Sequence, residues 1–258
     1  MTSNAIRDLG EKMGFDKTLL LGKTILITGA GKGIGKSCVQ KCVDAGANII
    51  AVARTEQDLE ELKQYAPSQI EIWALDINSN IFLERLRAMT KLDGLLNNAG
   101  INRVAPMQEQ TDENIDDVIA MNIRSVYRIS QAALPALINS GAGSVVNMSS
   151  QMGFVGSPNR TLYCMSKHAV EGLTKALAVE LATQNVRVNT VAPTFVETPM
   201  TKPMLENPDF KKFVFDMIPM KKIAQTEDVA NACVFLLSEL SAMITGTCIK
   251  IDGGWTAQ

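Results

Sequence analysis

Tyr163-Cys164-Met165-Ser166-Lys167 sets a phenol and an ammonium four residues apart. On a helix that spacing places both on one face. A free phenol titrates near about 10, too high for efficient proton exchange at neutral pH. A nearby cation favours the phenolate, and a drop of about three units needs ~4 kcal/mol of differential interaction. Such a pair is common by chance, so its weight comes from combination. Thirteen residues before Tyr163 stands Ser150, preceded by Ser149 at the end of an apolar run. A hydroxyl there can hydrogen-bond an oxygen on which negative charge develops. Both serines could equally just end a strand. Asn122 lies inside a helical segment, where its amide competes for backbone groups. Taken alone it reads as a surface residue.

A second group is built for phosphates. Thr28-Gly29-Ala30-Gly31-Lys32-Gly33-Ile34-Gly35 follows one apolar run and opens a helical one. Gly29 permits a tight turn, Gly33 a close backbone approach to a pyrophosphate, and Gly35 close helix–strand packing. The helix N-terminus then offers free N–H groups to the phosphates. An ordinary structural loop is the rival reading. The next apolar run ends Ala53-Arg54-Thr55. An NAD site usually has an acid there for the ribose 2′-hydroxyl. Neither Ala53 nor Arg54 supplies one. Arg54 and Lys32 could instead pair with a 2′-phosphate. A net ~2–3 kcal/mol would prefer NADP(H) over NAD(H) by roughly thirty- to a hundredfold. NAD(H) stays possible, and both cations could be merely solvated.

These residues need elements to position them. Apolar β-branched runs predict strands at 23–28, 48–53, 70–75, 92–97, 143–148, 186–191 and 247–251. Amphipathic segments predict helices at 33–46, 56–64, 79–89, 111–138, 162–183 and 226–238. Residues 193–225, with five prolines, read as irregular. Strand–helix alternation implies α/β architecture: one Rossmann-like, doubly wound parallel sheet of about seven strands with helices on both faces. A closed eight-stranded barrel is disfavoured, because the phosphate-type loop sits on the first turn. The expected division is an N-terminal extension at 1–19 and one domain at 20–258, with a substrate lid near 194–223.

Composition excludes several classes. The chain has 258 residues, 46% hydrophobic, with a formal charge of -2. No basic excess suggests a nucleic-acid partner. No run is long and apolar enough for a membrane span, and the first residues do not read as a signal peptide. A cytoplasmic protein is the expectation. Five cysteines form no CxxC pair, and His168 is the single histidine, so no metal site is expected.

The TGxxxGIG spacing, Asn97-Asn98-Ala99-Gly100 and the Ser150, Tyr163, Lys167 set together resemble the short-chain dehydrogenase/reductase family, from about Leu20 to Gly254. The resemblance implies hydride transfer between a nicotinamide and a small carbonyl or hydroxyl substrate. Ser150 and Tyr163 would hold the substrate oxygen. Tyr163 would give the proton. Lys167 would bind the nicotinamide ribose and lower the phenol's pKa. Asn122 would distort its helix and support proton resupply through a water. Asp76 and Ile77, with Asn98, Ala99 and Gly100, would stand on the adenine side. Pro193, Val196 and Thr198 would meet the carboxamide and phosphates, although Thr194 replaces the family's usual glycine. Gly29, Gly31, Lys32, Gly33, Ile34, Gly35, Arg54 and Thr55 complete the cofactor set.

Ser149-Ser150-Gln151, Asn159, Cys164, Arg54-Thr55, Asp58-Leu59 and Pro193-Thr194 further resemble the branch of L-xylulose and tetrameric carbonyl reductases. That implies a sugar, polyol or dicarbonyl substrate, NADPH and a homotetramer. Gln151 and Asn159 would bond substrate hydroxyls, or only cap loops. The 3-oxoacyl-carrier-protein reductases share almost every motif and are the main rival, beside an NAD-linked alcohol dehydrogenase. Enoyl reductases of the family space Tyr and Lys more widely. A dinucleotide-sensing protein without turnover is the non-enzyme alternative, against which the intact Ser150, Tyr163 and Lys167 argue.

Overall fold

The computed structural model describes residues 16–198 and 201–258. Seven strands form one parallel sheet: β1 (Thr24–Thr28), β2 (Asn48–Ala53), β3 (Ile70–Ala74), β4 (Gly94–Asn97), β5 (Gly143–Met148), β6 (Val186–Pro193) and β7 (Cys248–Ile251). Their order is β3-β2-β1-β4-β5-β6-β7. The chain reverses direction across the sheet between β1 and β4. A crevice opens there at the carboxyl ends of the strands, which is where a doubly wound sheet takes its ligand.

Nine helices lie among the described residues: α1 (Gly33–Asp44), α2 (Glu56–Lys63), α3 (Asn80–Arg87), α4 (Asp112–Val118), α5 (Ser125–Asn139), α6 (Thr161–Leu181), α7 (Lys202–Leu205), α8 (Pro208–Met217) and α9 (Thr226–Leu237). Successive strand residues face opposite sides. Ile25, Ile27, Ala51 and Leu96 therefore pack with Cys38 and Val39 of α1 and Val234 and Leu237 of α9. Leu26, Val52, Leu95 and Val145 pack the other face with Phe82 of α3, Ile129 of α5 and Ala178 of α6. Each such large aliphatic, fully buried, contributes about 1.5–3 kcal/mol. None of the described helices is long and apolar enough to cross a membrane.

Two segments differ from the sequence expectation. The predicted helix at 111–138 is interrupted: a π-helical turn at 119–124 joins α4 to α5. The stretch 193–225 carries two helices rather than irregular chain. Two of its prolines, Pro203 and Pro208, start helices. Pro208 occupies the first turn of α8, where a missing N–H is no loss, and Asn207 Oδ1 accepts from the N–H groups of Asp209 and Phe210, both at 3.0 Å. Of the predicted N-terminal extension, residues 1–15 lie outside the described residues. Leu20 is fully buried, and its N–H donates to Ala45 O at 2.8 Å, which holds the segment before β1 against the end of α1.

Candidate active site

The crevice holds a cavity of roughly 490 Å³, walled by residues at the carboxyl ends of β1, β2, β4, β5 and β6. The glycine loop forms one wall. Gly29 and Gly33 have φ of +66° and +54°, a region that favours glycine. A Cβ on Gly35 would stand 2.1 Å from Gly29 O, so no side chain fits. α1 then begins with no side-chain cap bond from Lys32 and no acid in its first turn. Those N–H groups suit an anionic oxygen. The amide of Asn98 braces the loop: Nδ2 donates to Thr28 O at 3.0 Å and Gly29 O at 3.1 Å. Thr28 Oγ1 accepts from the N–H groups of Asn98 (3.0 Å) and Ala99 (3.1 Å). Asn98 thus builds the cradle with its side chain engaged on backbone carbonyls. The cradle fits a dinucleotide.

Arg54, Thr55 and Lys32 gather on the β2 side of the cavity, with Asp76 and Ile77 beside them. Arg54 is exposed, and no acid pairs with it among the described residues. Thr55 precedes α2 without capping it, which leaves its hydroxyl for a ligand. Lys32 is already paired with Asp58 at 3.2 Å. Asp58 lines the same wall, so an acid does reach this sector, from α2 rather than from the strand end. In the sequence Asp58 stands only as part of a family motif, with no sign of where its charge falls. Lys32 is 67% exposed, so the pair is a weak one.

Ser149, Ser150, Tyr163 and Lys167 meet on the floor. Ser150 is buried. Its Oγ donates to Gln151 Oε1 at 2.7 Å and accepts from Met152 N at 3.2 Å. Ser149 Oγ is buried with no partner. Lys167 is buried, donates to Met148 O at 2.7 Å, and lies 5.4 Å from the Tyr163 ring centre. Burial lowers its pKa to about 8, against the opposing charge of Glu171 on the next turn of α6.

Tyr163 departs from expectation. Burial is the largest influence and pushes its pKa up; the Ser150 hydroxyl and the Arg160 charge only partly oppose this. Lys167 was the cation expected to lower it. The cation that favours the phenolate is Arg160, while the Lys167 ammonium donates to the Met148 carbonyl.

Asn122 is 1% exposed and sits in the π turn. Its Oδ1 accepts from Ile101 N at 2.9 Å, while Nδ2 donates to Ile101 O at 2.8 Å and Ser166 Oγ at 3.0 Å. The side chain therefore clamps the loop after β4 to α6. A Cβ on Gly100 would come 3.3 Å from Asn122 Oδ1 and 3.7 Å from Lys167 Nζ, so this clamp borders the ammonium.

Pro193, Val196 and Thr198 line the cavity as the sequence implied. Thr198 is joined to Thr201, whose hydroxyl donates to Val196 O. A second compartment of roughly 380 Å³ adjoins the first through Ile101, Ser150, Tyr163, Thr194 and Thr201. Gln151, Arg160, Phe195 and Met204 also wall it. Asn159 does not: it is exposed, left-handed at φ +61°, with its carbonyl accepting from Ala105 N. Its side chain is not among the walls of either compartment. Arg160, the next residue, is. Sequence reasoning missed Arg160, Thr194 and Thr201. The signal was slight: a cation three residues before Tyr163, and a hydroxyl where the family has glycine.

A family model described as enoyl-(acyl carrier protein) reductase matches residues 29–256. L-xylulose reductase of Bos taurus is 40% identical over 240 residues, covering 92% of this chain and 98% of that protein. The 3-oxoacyl-[acyl-carrier-protein] reductase of Thermotoga maritima is 37% identical over 243 residues, 91% of this chain and 98% of that one. Among solved structures, gluconate 5-dehydrogenase of Burkholderia cenocepacia in complex with NADP and tartrate matches with a TM-score of 0.88 at 26% identity, covering 94% and 98% of the two chains.

Proposed function

The chain belongs to the short-chain dehydrogenase/reductase family of oxidoreductases, and from that premise we propose that it reduces a small sugar, polyol-derived or dicarbonyl substrate with NADPH, at a site formed by Ser150, Tyr163 and Lys167. The single observation that carries this reading is the meeting of Ser150 and Tyr163 at the junction of the two compartments, with Lys167 beside them in the larger one. NADPH supplies the hydride when bound. Gly29, Gly31, Gly33, Ile34 and Gly35 would hold its pyrophosphate, Arg54, Thr55 and Lys32 its 2′-phosphate, Asp76, Ile77, Ala99 and Gly100 its adenosine half, and Pro193, Val196 and Thr198 its nicotinamide half.

Ser150 Oγ and the Tyr163 phenol would bracket the substrate oxygen and stabilise the charge that develops on it. A raised pKa keeps the phenol protonated at neutral pH, the state a proton donor needs. Tyr163 would release that proton as the alcohol forms, and recover it when the reaction runs backwards. Lys167 would keep a positive charge in the larger cavity below about pH 8, held on the Met148 carbonyl. Asn122 would act by fixing the 100–101 loop against α6 rather than by touching the substrate.

Gln151 and Arg160 set polar groups into a second compartment that Ile101, Val104, Met152, Phe195 and Met204 also wall, and those two groups favour a small oxygenated substrate over a 3-oxoacyl thioester. Tyr163 and Lys167 stand one helical turn apart, closer than the enoyl reductases of the family place theirs. The exposed faces of α5 and α6, with Tyr127 and Val179 at 55% and 80% exposure, suit a homotetramer. A cytoplasmic location accords with the family's soluble members.

Parallel titration with NADPH and NADH at physiological salt tests the cofactor half of the proposal. The expected result is tighter NADPH binding that Arg54→Asp reverses. Equal or NADH-favoured binding would remove the roles of Arg54 and Lys32 in cofactor choice.

A further inference from the structure

Arg160 is 5% exposed and forms part of the wall of the second compartment, near Tyr163. Among the described residues no carboxylate pairs with its guanidinium, whose N–H groups make no hydrogen bond; its backbone carbonyl accepts from Cys164 N at 2.8 Å. Its guanidinium carbon lies 5.8 Å from the Phe195 ring centre and 5.9 Å from that of Phe210. Aromatic faces hold a cation in place without using its N–H donors. A buried, unpaired charge costs several kcal/mol, so such a group is seldom kept without a partner. Arg103 lines the same compartment but is spoken for: it pairs with Asp117 at 2.7 Å.

Two further groups in this compartment are unsatisfied. Thr194 Oγ1 and Asn102 Oδ1 are buried and without hydrogen-bond partners. Thr194 borders both compartments, beside Ser150 and Tyr163. Buried polar atoms of this kind are ordinarily paired.

We propose that the substrate is a hydroxylated keto acid, its carboxylate taken by Arg160 and its hydroxyls by Thr194 and Asn102, with the reacting carbonyl at Ser150 and Tyr163. The proposal rests on the carbonyl-reductase reading and narrows it: a neutral ketose or diketone would leave the guanidinium unanswered. Planar two-pronged contact with a carboxylate is the chemistry a guanidinium does best.

The test compares 5-keto-gluconate with two neutral probes, L-xylulose and 2,3-butanedione, by NADPH oxidation with the full chain. Wild type should prefer the acid. Arg160→Gln should lower kcat/KM for the acid by about 10- to 100-fold, mostly through KM, the loss expected for a charge-assisted contact. It should leave NADPH binding within about threefold; turnover of 2,3-butanedione, which reads only the effect of the Arg160 charge on Tyr163, should fall at least several-fold less than that of the acid, and Arg160→Lys should recover part of the acid-specific loss. An equal loss on acid and neutral probes, or a neutral probe preferred by wild type, would overturn the proposal. Calorimetric titration of the NADPH complex with tartrate reads the anion site without turnover: binding abolished in Arg160→Gln supports it, and binding unchanged or absent in wild type overturns it. No NADPH oxidation with any of the three probes, alongside tartrate binding that needs Arg160, would strike the carbonyl-reductase reading alone.

Discussion

At the scale of single residues, two carboxylates decide how the site titrates and which cofactor it prefers. Glu171 is buried on the turn of α6 after Lys167, and its charge resists the effect of burial on the ammonium. Lys167 is charged below about pH 8 and neutral above it. Reduction should therefore fall on the alkaline side of that pH. Glu171→Gln removes the opposing charge, lowers the lysine's pKa further and should move the alkaline limb of kcat to lower pH; an unmoved limb would mean Lys167 does not govern it. Asp58 acts in the opposite sense on the cofactor. It pairs with Lys32 at 3.2 Å on the wall proposed for the 2′-phosphate. Asp58→Asn should tighten NADPH several-fold at low salt, with the gain shrinking as salt rises, as read by fluorescence titration. The main chemical group was legible at this scale, because Tyr163, Lys167 and Ser150 are tied by fixed spacing. Arg160, Thr194 and Asp58 were not. Their roles depend on which side chains the fold leaves unpaired or brings together, and spacing along the chain does not carry that.

At the scale of elements, the break between α4 and α5 matters most. Asn122 makes three hydrogen bonds there, two of them to the backbone of Ile101. Asn122→Leu leaves that half-buried N–H and carbonyl without their side-chain partner, each costing up to ~1–3 kcal/mol. The melting temperature should drop by about 4–12 °C, measured by calorimetry. A drop of a degree or less would return Asn122 to the status of an ordinary helix residue. Apolar periodicity runs through 111–138 without a gap, so it predicts one helix; only the poor helix propensity of Asn122 hinted at the interruption. The lid region failed in the other direction. Five prolines between 193 and 225 suggested irregular chain, yet Pro208 starts α8 behind an Asn207 cap. The strands were read to within two residues, because runs such as Ile49–Ala53 are apolar throughout and follow turn residues such as Gly46.

At the scale of the whole molecule, the doubly wound class follows from alternation and handedness, both legible in the sequence, whereas the strand order is read from the structure. The order puts the glycine loop on β1 and Ser150 after β5, so the cofactor cradle and the reacting floor share one crevice. Assembly is a separate matter. Val179 on α6 is 80% exposed and Tyr127 on α5 is 55% exposed. If these faces pair between copies, light scattering should give four times the 28.0 kDa chain mass, and Val179→Asp should lower it. A monomer mass for wild type would exclude pairing of those apolar faces between copies.

Tyr163 as the proton donor of an NADPH-linked carbonyl reduction is the claim on which the rest depends. The most direct measurement is NADPH oxidation with 2,3-butanedione by wild type and Tyr163→Phe, with NADPH affinity measured on both. Loss of roughly 10²–10⁴-fold in kcat, with NADPH affinity within about threefold, is the result predicted. Turnover that survives in Tyr163→Phe, or a wild type that binds NADPH and reduces neither this probe nor the keto acid, would contradict it.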